Sequence, residues 1–529
     1  MPALERKWWT LIAVCTATFM LLLDITVVNV ALPDIQRSLH ASFSDLQWVI
    51  DAYSLTLAAF MLTAGVVGDM FGRRGVFAIG LGIFTASSLL CGLSTSSLML
   101  NLARGAQGVG GAVMFATSLA LIAAAFQGKE RGTAFGIYGG VIGGAVAVGP
   151  LIGGAITSGF GWRWIFFVNV PVGVAAVVVT LTRVAASKEN NERRIDWIGF
   201  VSFSVALFLL VLALVRGNDD GWGSTQIVAG LIGSVVLLAV FVVAEWRQAD
   251  PMLDLKLFRR PAMVGASLVA ITLSSSIFAM FLYLTLFLQD DLGYGPFAAG
   301  IRFLPITLLA FIVAPMAGKL SVRIQSRYLL GTGLLLVAVG MWLMSMIHTA
   351  SGWTVLVPGF VVTGFGIGMV NPVLASAAVS VVPPEHSGMA SGANNTFRQV
   401  GIATGIAALG AVFQSQIQHA TAVALRSSAT GQEVLTRGGT ALNGALAGGG
   451  VRQVAALIPS ASARATLLHA YRVGFASTLD HLMIIGVVIA AIGSVGAFSL
   501  IRQRDFVPSY APPAADLEQP AVASSTPIA

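Results

Sequence analysis

Apolar residues gather into long runs at about 10–32, 46–67, 76–96, 98–126, 134–157, 164–186, 196–215, 225–247, 262–288, 297–320, 328–348, 353–381, 387–413 and 476–500. A helix rising 1.5 Å per residue needs about 20 mainly apolar residues to cross the hydrocarbon core of a bilayer, and each run reaches that length. The pattern predicts fourteen transmembrane helices and an all-α integral membrane fold. The first run contains Asp24 and has no clear small-residue cleavage site, so it reads as a retained span rather than a removed leader.

Polar segments divide the runs. Residues 187–195 and 248–261 separate six spans, two spans and six spans, giving an N-terminal six-helix bundle over 1–186, two additional helices with flanking linkers over 187–260, and a C-terminal six-helix bundle over 261–500. Within the last, 414–475 alternates Gly/Ala/Ser/Thr-rich stretches with short amphipathic pieces such as Val451–Leu457, and is expected to be a long outer loop. The Pro- and Ala-rich end, 501–529, is expected to be a disordered tail.

Composition sharpens this picture by exclusion. The chain is 56% hydrophobic and 10% charged, whereas soluble domains carry about 25% charged residues. A soluble enzyme, a nucleic-acid binder and a disordered scaffold are excluded for the chain as a whole. The net charge of +7 is mainly a topology signal. With a cytoplasmic N-terminus, 19 of the 30 Lys and Arg fall on the inner side, and the short outer loops hold only Arg37, Arg163 and Arg216. The positive-inside rule then places both termini in the cytoplasm of a cell-membrane protein, and the inner cations suit anionic lipid rather than nucleic acid. Cys15 and Cys91 lie in apolar runs as small hydrophobes. No metal-ligand spacing, cofactor motif or catalytic motif is found, and no phosphate-binding loop, so an energy source must be an ion gradient.

Charges inside spans carry the candidate chemistry, because each costs at least ~2.5 kcal/mol at the bilayer centre. Asp24, Asp51 and Arg104 fall in the first, second and fourth spans at a similar depth, about 8–12 Å from the outer end. A carboxylate near a cation in a low-dielectric cavity can be paired or protonated, as a proton-coupled switch requires. A permanent ion pair that only holds helices together is the structural alternative. Between spans two and three, Gly65, Gly68, Asp69, Gly72, Arg73 and Arg74 make a tight charged loop. Span four surrounds Arg104 with Gln107 and small residues. Span five carries Gly136, Gly140, Gly144, Gly149, Pro150, Gly153 and Gly154, a face with almost no side chains and an expected break at Pro150. In the C-terminal half, Arg398 lies about 16 Å into its span with no carboxylate in that span, while Met280 and Tyr283 could line a cavity or pack in a core.

Together these patterns resemble the drug:proton antiporters of the major facilitator superfamily. Leu23–Pro33 is similar to the first-span motif, Gly65–Arg74 to the signature loop, Arg104–Ala112 to the fourth-span Arg motif and Gly136–Gly154 to the antiporter motif. Trp48–Tyr53 and Trp162–Gly173 resemble the fourteen-span branch, the EmrB/QacA type. The resemblance implies two six-helix bundles rocking about a central cavity, with two helices between them. It implies proton coupling at Asp24, Asp51 and Arg104, a conformational latch of Gly65, Asp69, Gly72, Arg73 and Arg74, an antiport hinge at Gly149, Pro150, Gly153 and Gly154, and cavity positions at Asn29, Tyr53, Gln107, Met280, Tyr283 and Arg398. Met70 and Ala145 depart from the pattern, and the tenth span lacks an acidic residue. The expected function is proton-driven efflux of hydrophobic, cationic or neutral drug-like molecules by a monomer. A dedicated exporter of one metabolite, antibiotic or lipid, and a sensor or scaffold without flux, remain as alternatives.

Overall fold

The first apolar run forms α1, Arg6–Leu39, which ends where His40 turns into the left-handed region at φ 49°. The computed structural model describes residues 5–507 other than 42, 187–195, 249–250, 252, 347–351, 437–441 and 443–450. The expected linker 187–195 and the tail beyond 507 lie outside the described residues.

The N-terminal half continues with α2 (Phe43–Phe71), α3 (Arg73–Gly92), α4 (Ser97–Ala125), α5 (Gly128–Phe160), the single turn α6 (Trp164–Phe167) and α7 (Asn169–Arg183). Its boundaries follow local chemistry. Ser96 caps α4 by accepting from the Met99 amide at 3.3 Å. Gly72 separates α2 from α3 at φ 90°, a conformation that a side chain would strain. Two further helices follow, α8 (Trp197–Asp220), capped by Asp196, and α9 (Thr225–Arg247), capped by Ser224. The C-terminal half comprises α10 (Pro261–Leu286), α11 (Pro296–Arg302), α12 (Leu304–Leu320), α13 (Ser326–Met344), α14 (Val357–Ser380), α15 (Ser387–Arg426), α16 (Val451–Leu457) and α17 (Ala461–Leu500).

Among the described residues no strand occurs, and 12 helical stretches are long and apolar enough to cross a membrane. α5, of 33 residues, and α12, of 17, are further apolar helices outside that count. Two expectations need correction. The described residues of 414–475 are mostly helical rather than loop. α15 and α17 run for 40 residues each, about 60 Å at 1.5 Å per residue and so twice the thickness of a bilayer core. Beyond the membrane a helix needs only one apolar face, and here Leu425, Leu467 and Tyr471 supply it, buried together with the core of the C-terminal half. The helix α5 runs unbroken through Pro150; neighbouring helices can hold a span that has lost one backbone hydrogen bond.

Each half has its own core. Residues of α10–α17 form one apolar cluster, while α1–α7 build two others, one of them joined by Ala375 and Val379 of α14. α8 bridges the halves: Val211 packs with Leu55 and Ala58 of α2 and Ala403 of α15, and Ser204 shares a hydrogen bond of 3.3 Å with Thr63 of α2. α1 begins and α17 ends at one face of the molecule, here the terminal face, where the Val507 amide donates to the Ser380 carbonyl at 2.9 Å.

Candidate functional site

Asp24 and Arg104, buried at 3% and 2% exposure, form an ion pair of 2.5 Å between Arg104 Nη1 and Asp24 Oδ2. Further hydrogen bonds to the pair come from residues on three helices, α2, α4 and α7. Gln107 Nε2 and Asn169 Nδ2 donate to Asp24 Oδ1 at 3.0 and 3.3 Å. Arg104 also donates to Gln107 Oε1 at 2.8 Å and from Nε to the Val49 carbonyl at 3.0 Å. Its guanidinium lies over the Tyr53 ring, 4.2 Å from the centroid. Asn169 is oriented in turn by Ser88 at 3.1 Å, and Ser88 donates to the Phe166 carbonyl at 3.0 Å.

This shell lowers the cost of breaking the pair. Removing one partner of a buried ion pair ordinarily costs about 3–5 kcal/mol, because the other charge is left uncompensated. If Asp24 takes up a proton, Arg104 still has Gln107, Val49 and the Tyr53 ring, and the carboxyl still accepts from Gln107 and Asn169.

Asp51 is also buried but belongs to another face. One and two turns along α2 from it lie Leu55 and Ala58, which pack toward α8 and α15. The structure therefore brings together Asp24, Arg104, Gln107 and Tyr53, and sets Asp51 on the α8 side.

At the terminal face Asp69 bridges the halves. Its Oδ1 accepts from the Gly388 amide at 2.9 Å and from Arg73 Nε at 2.9 Å, and its Oδ2 accepts from the Met389 amide at 2.8 Å. The carboxylate thus caps the first turn of α15, where free N–H groups and the helix dipole favour negative charge. Arg73 Nη2 reaches the Pro384 carbonyl at 2.5 Å. Gly65 packs on Gly388 so closely that a Cβ would overlap the opposing carbonyl. Arg74 does not cross; it donates to Leu181 of α7 at 2.5 Å.

The glycines of α5 divide by partner. Gly149 and Gly153 press on Thr26 and Val27 of α1, within the N-terminal half, and Gly154 has nothing within 4 Å of a Cβ position. The contact with the other half is made earlier in the helix. There Gly132 packs against Gly318, Gly136 against Pro315 and Gly139 against Pro372.

Between α5 and the C-terminal half lies a cavity of about 50 Å³ whose lining includes Ile142, Ile277, Phe281, Asn371 and Arg398. Arg398 donates to Asn371 Oδ1 at 3.1 Å. Met280 and Tyr283 sit in the apolar core instead, Tyr283 against Phe413 at 4.9 Å between ring centroids. The side chains of Asn29 and Pro150 lie outside the described residues. Among the described residues no group of His, Cys, Asp and Glu could hold a metal ion.

A family model described as Major Facilitator Superfamily matches residues 14–406. The chain belongs to the Major Facilitator Superfamily. Multidrug resistance protein Stp of Mycobacterium tuberculosis is 39% identical over 404 residues, spanning 76% of this chain and 75% of the relative. The tetracenomycin C resistance and export protein of Streptomyces glaucescens is 35% identical over 413 residues, 78% of this chain and 77% of the relative. The solved structure of the proton:xylose symporter XylE aligns with a TM-score of 0.60 over 94% of this chain and 96% of that one at 11% identity, a likeness of fold alone. As a major facilitator, the chain is a multi-pass membrane transporter and not an enzyme.

In this major facilitator several polar groups beside the embedded charges escaped the sequence reading. Ser88 and Asn169 complete the Asp24 shell from α3 and α7, and Asn371 holds Arg398 from α14. Their signal was present as polar residues inside apolar runs, but only the fold shows which of them face a charge.

Proposed function

We propose that this major facilitator is a fourteen-span, proton-driven antiporter that exports hydrophobic drug-like molecules by alternating access, with both termini in the cytoplasm. The single observation that carries the reading is the buried Asp24–Arg104 pair inside a shell that satisfies both partners when the pair breaks. The Asp69 bridge to α15 supports a state closed at the terminal face. Opening at the opposite face then lets protons reach Asp24, protonation reorganises the pair, and the return stroke carries the proton inward. The names of the relatives, a multidrug resistance protein and an antibiotic resistance and export protein, support efflux as the direction. α5 and the α11–α12 stretch supply the two spans beyond twelve.

The test is proton-coupled flux in proteoliposomes for a panel of chemically unrelated dyes, wild type beside Asp24→Asn and Asp51→Asn. Loss of coupling in a well-folded Asp24→Asn protein is expected. Undiminished coupling in that variant overturns the reading, and movement of a single compound in the panel would instead favour a dedicated exporter.

A further inference from the structure

The cavity between α5 and the C-terminal half offers donors without a matching negative charge. Arg398 carries five N–H donors and cannot lose its proton. Its one hydrogen bond among the described residues goes to a neutral acceptor, Asn371 Oδ1, and no described carboxylate lies within ion-pair distance of it. Ser274 lines the same cavity at 1% exposure, and its hydroxyl has no hydrogen-bond partner among the described residues. Thr307, the other hydroxyl in the lining, is committed to the Phe303 carbonyl at 3.1 Å. Most of the remaining wall is apolar, including Ile142, Ile277 and Phe281.

A cation that is only partly exposed inside a membrane span and held by a neutral amide is costly, and in a transport cavity it marks a ligand position. No carboxylate lines this cavity to suit a cationic cargo, since Asp24 is paired with Arg104 and Asp51 stands on the α8 side of α2. We infer that this cavity recognises cargo bearing an anionic oxygen group, a carboxylate or phenolate, on an apolar body. The anion accepts from the Arg398 guanidinium and the Ser274 hydroxyl, while the aliphatic and aromatic wall receives the rest of the molecule. The inference rests on the efflux reading for its physiological sense and replaces the sequence-based expectation of cationic or neutral cargo. At about 50 Å³ the cavity is in a contracted state, because drug-sized ligands occupy about 300–1,000 Å³. Widening must therefore accompany binding.

Fluorescein and rhodamine 123 share a xanthene body and carry opposite charge, so they separate charge recognition from fit. Binding of both dyes is measured on the full-length protein in nanodiscs by fluorescence anisotropy, and flux is measured in proteoliposomes under an imposed pH gradient. The wild type is expected to bind fluorescein more tightly than rhodamine 123. Arg398→Gln should weaken fluorescein about tenfold or more, as loss of a charge-assisted hydrogen bond does, and leave rhodamine 123 unchanged. Ser274→Ala, a mild change that keeps the fold, should weaken fluorescein by about threefold. No binding of fluorescein by the wild type, preference for rhodamine 123, or equal weakening of both dyes in the two variants overturns the inference; equal weakening would mark Arg398 as a tie to α14. Selective fluorescein binding without gradient-driven flux upholds this recognition and removes the efflux reading, whereas gradient-driven flux indifferent to Arg398 does the reverse.

Discussion

Gly65 on α2 and Gly388 in the first turn of α15 meet backbone against backbone, with no space for a Cβ on either. Overpacking such a contact costs about 1–3 kcal/mol, and here the strain can be relieved by parting the halves at the terminal face. Gly65→Val should therefore shift the population toward a terminal-open state about tenfold, since ~1.4 kcal/mol corresponds to a factor of ten. Thiol labelling of a single engineered cysteine at that face, in an otherwise cysteine-free chain, should rise accordingly. Unchanged labelling would mean that the contact does not control closure.

Asp69→Asn removes the charge that serves the α15 amides and Arg73 together while leaving one acceptor oxygen. Charge-assisted hydrogen bonds contribute about 1.5–3 kcal/mol, so the bridge should weaken measurably while the protein stays folded. Spin labels on α2 and α15 near the terminal face should report a broadened, longer distance distribution. Arg74→Gln, whose parent residue bonds within the N-terminal half among the described residues, should leave that distribution unchanged.

Arg104→Lys keeps the charge and loses the geometry. A guanidinium reaches Asp24, Gln107 and the Val49 carbonyl at once, whereas a lysine ammonium is a point charge on a flexible stem. Coupled flux should fall about tenfold or more for the loss of at least one charge-assisted bond, with expression close to that of the wild type. Flux equal to the wild type in this variant would show that the charge alone suffices.

Gly149→Ala should jam α5 against Thr26 of α1, because the added methyl would overlap the threonine side chain. The second-site change Thr26→Gly should recover part of the lost melting temperature, at the roughly 1 kcal/mol cost of a helical glycine. Failure of that rescue would place the defect of Gly149→Ala elsewhere than in this contact.

Much of the architecture was legible because a bilayer demands long apolar runs; legibility fails at partners. Depth along each span put Asp24 and Arg104 at one level, and they do meet. The same reasoning put Asp51 with them, but depth carries no azimuth, and Asp51 stands on the face of α2 that looks toward α8. Asp69 could be read as a capping residue, yet its helix lies 319 residues away in sequence, a pairing that no local pattern encodes. Met280 and Tyr283 were plausible cavity residues by chemistry, whereas their neighbours Ile277 and Phe281 occupy the cavity wall. The extensions of α15 and α17 were hidden because an amphipathic helix outside the membrane has the average hydropathy of a loop.

The bridging position of α8 makes the two lateral edges of the molecule unequal. Along the α2–α15 edge, separation of the halves must stretch or slide a third helix that holds both, through Val211 and the Ser204–Thr63 hydrogen bond. Along the α5–α12 edge the halves meet directly, through glycine-lined helix contacts and an Arg131–Ser380 hydrogen bond of 3.4 Å, with no third helix holding both among the described residues. The molecule is thus bound like a book, with its spine at α8 and its free margin at α5 and α12, and a lipophilic compound coming from the leaflet would find its way in by the margin.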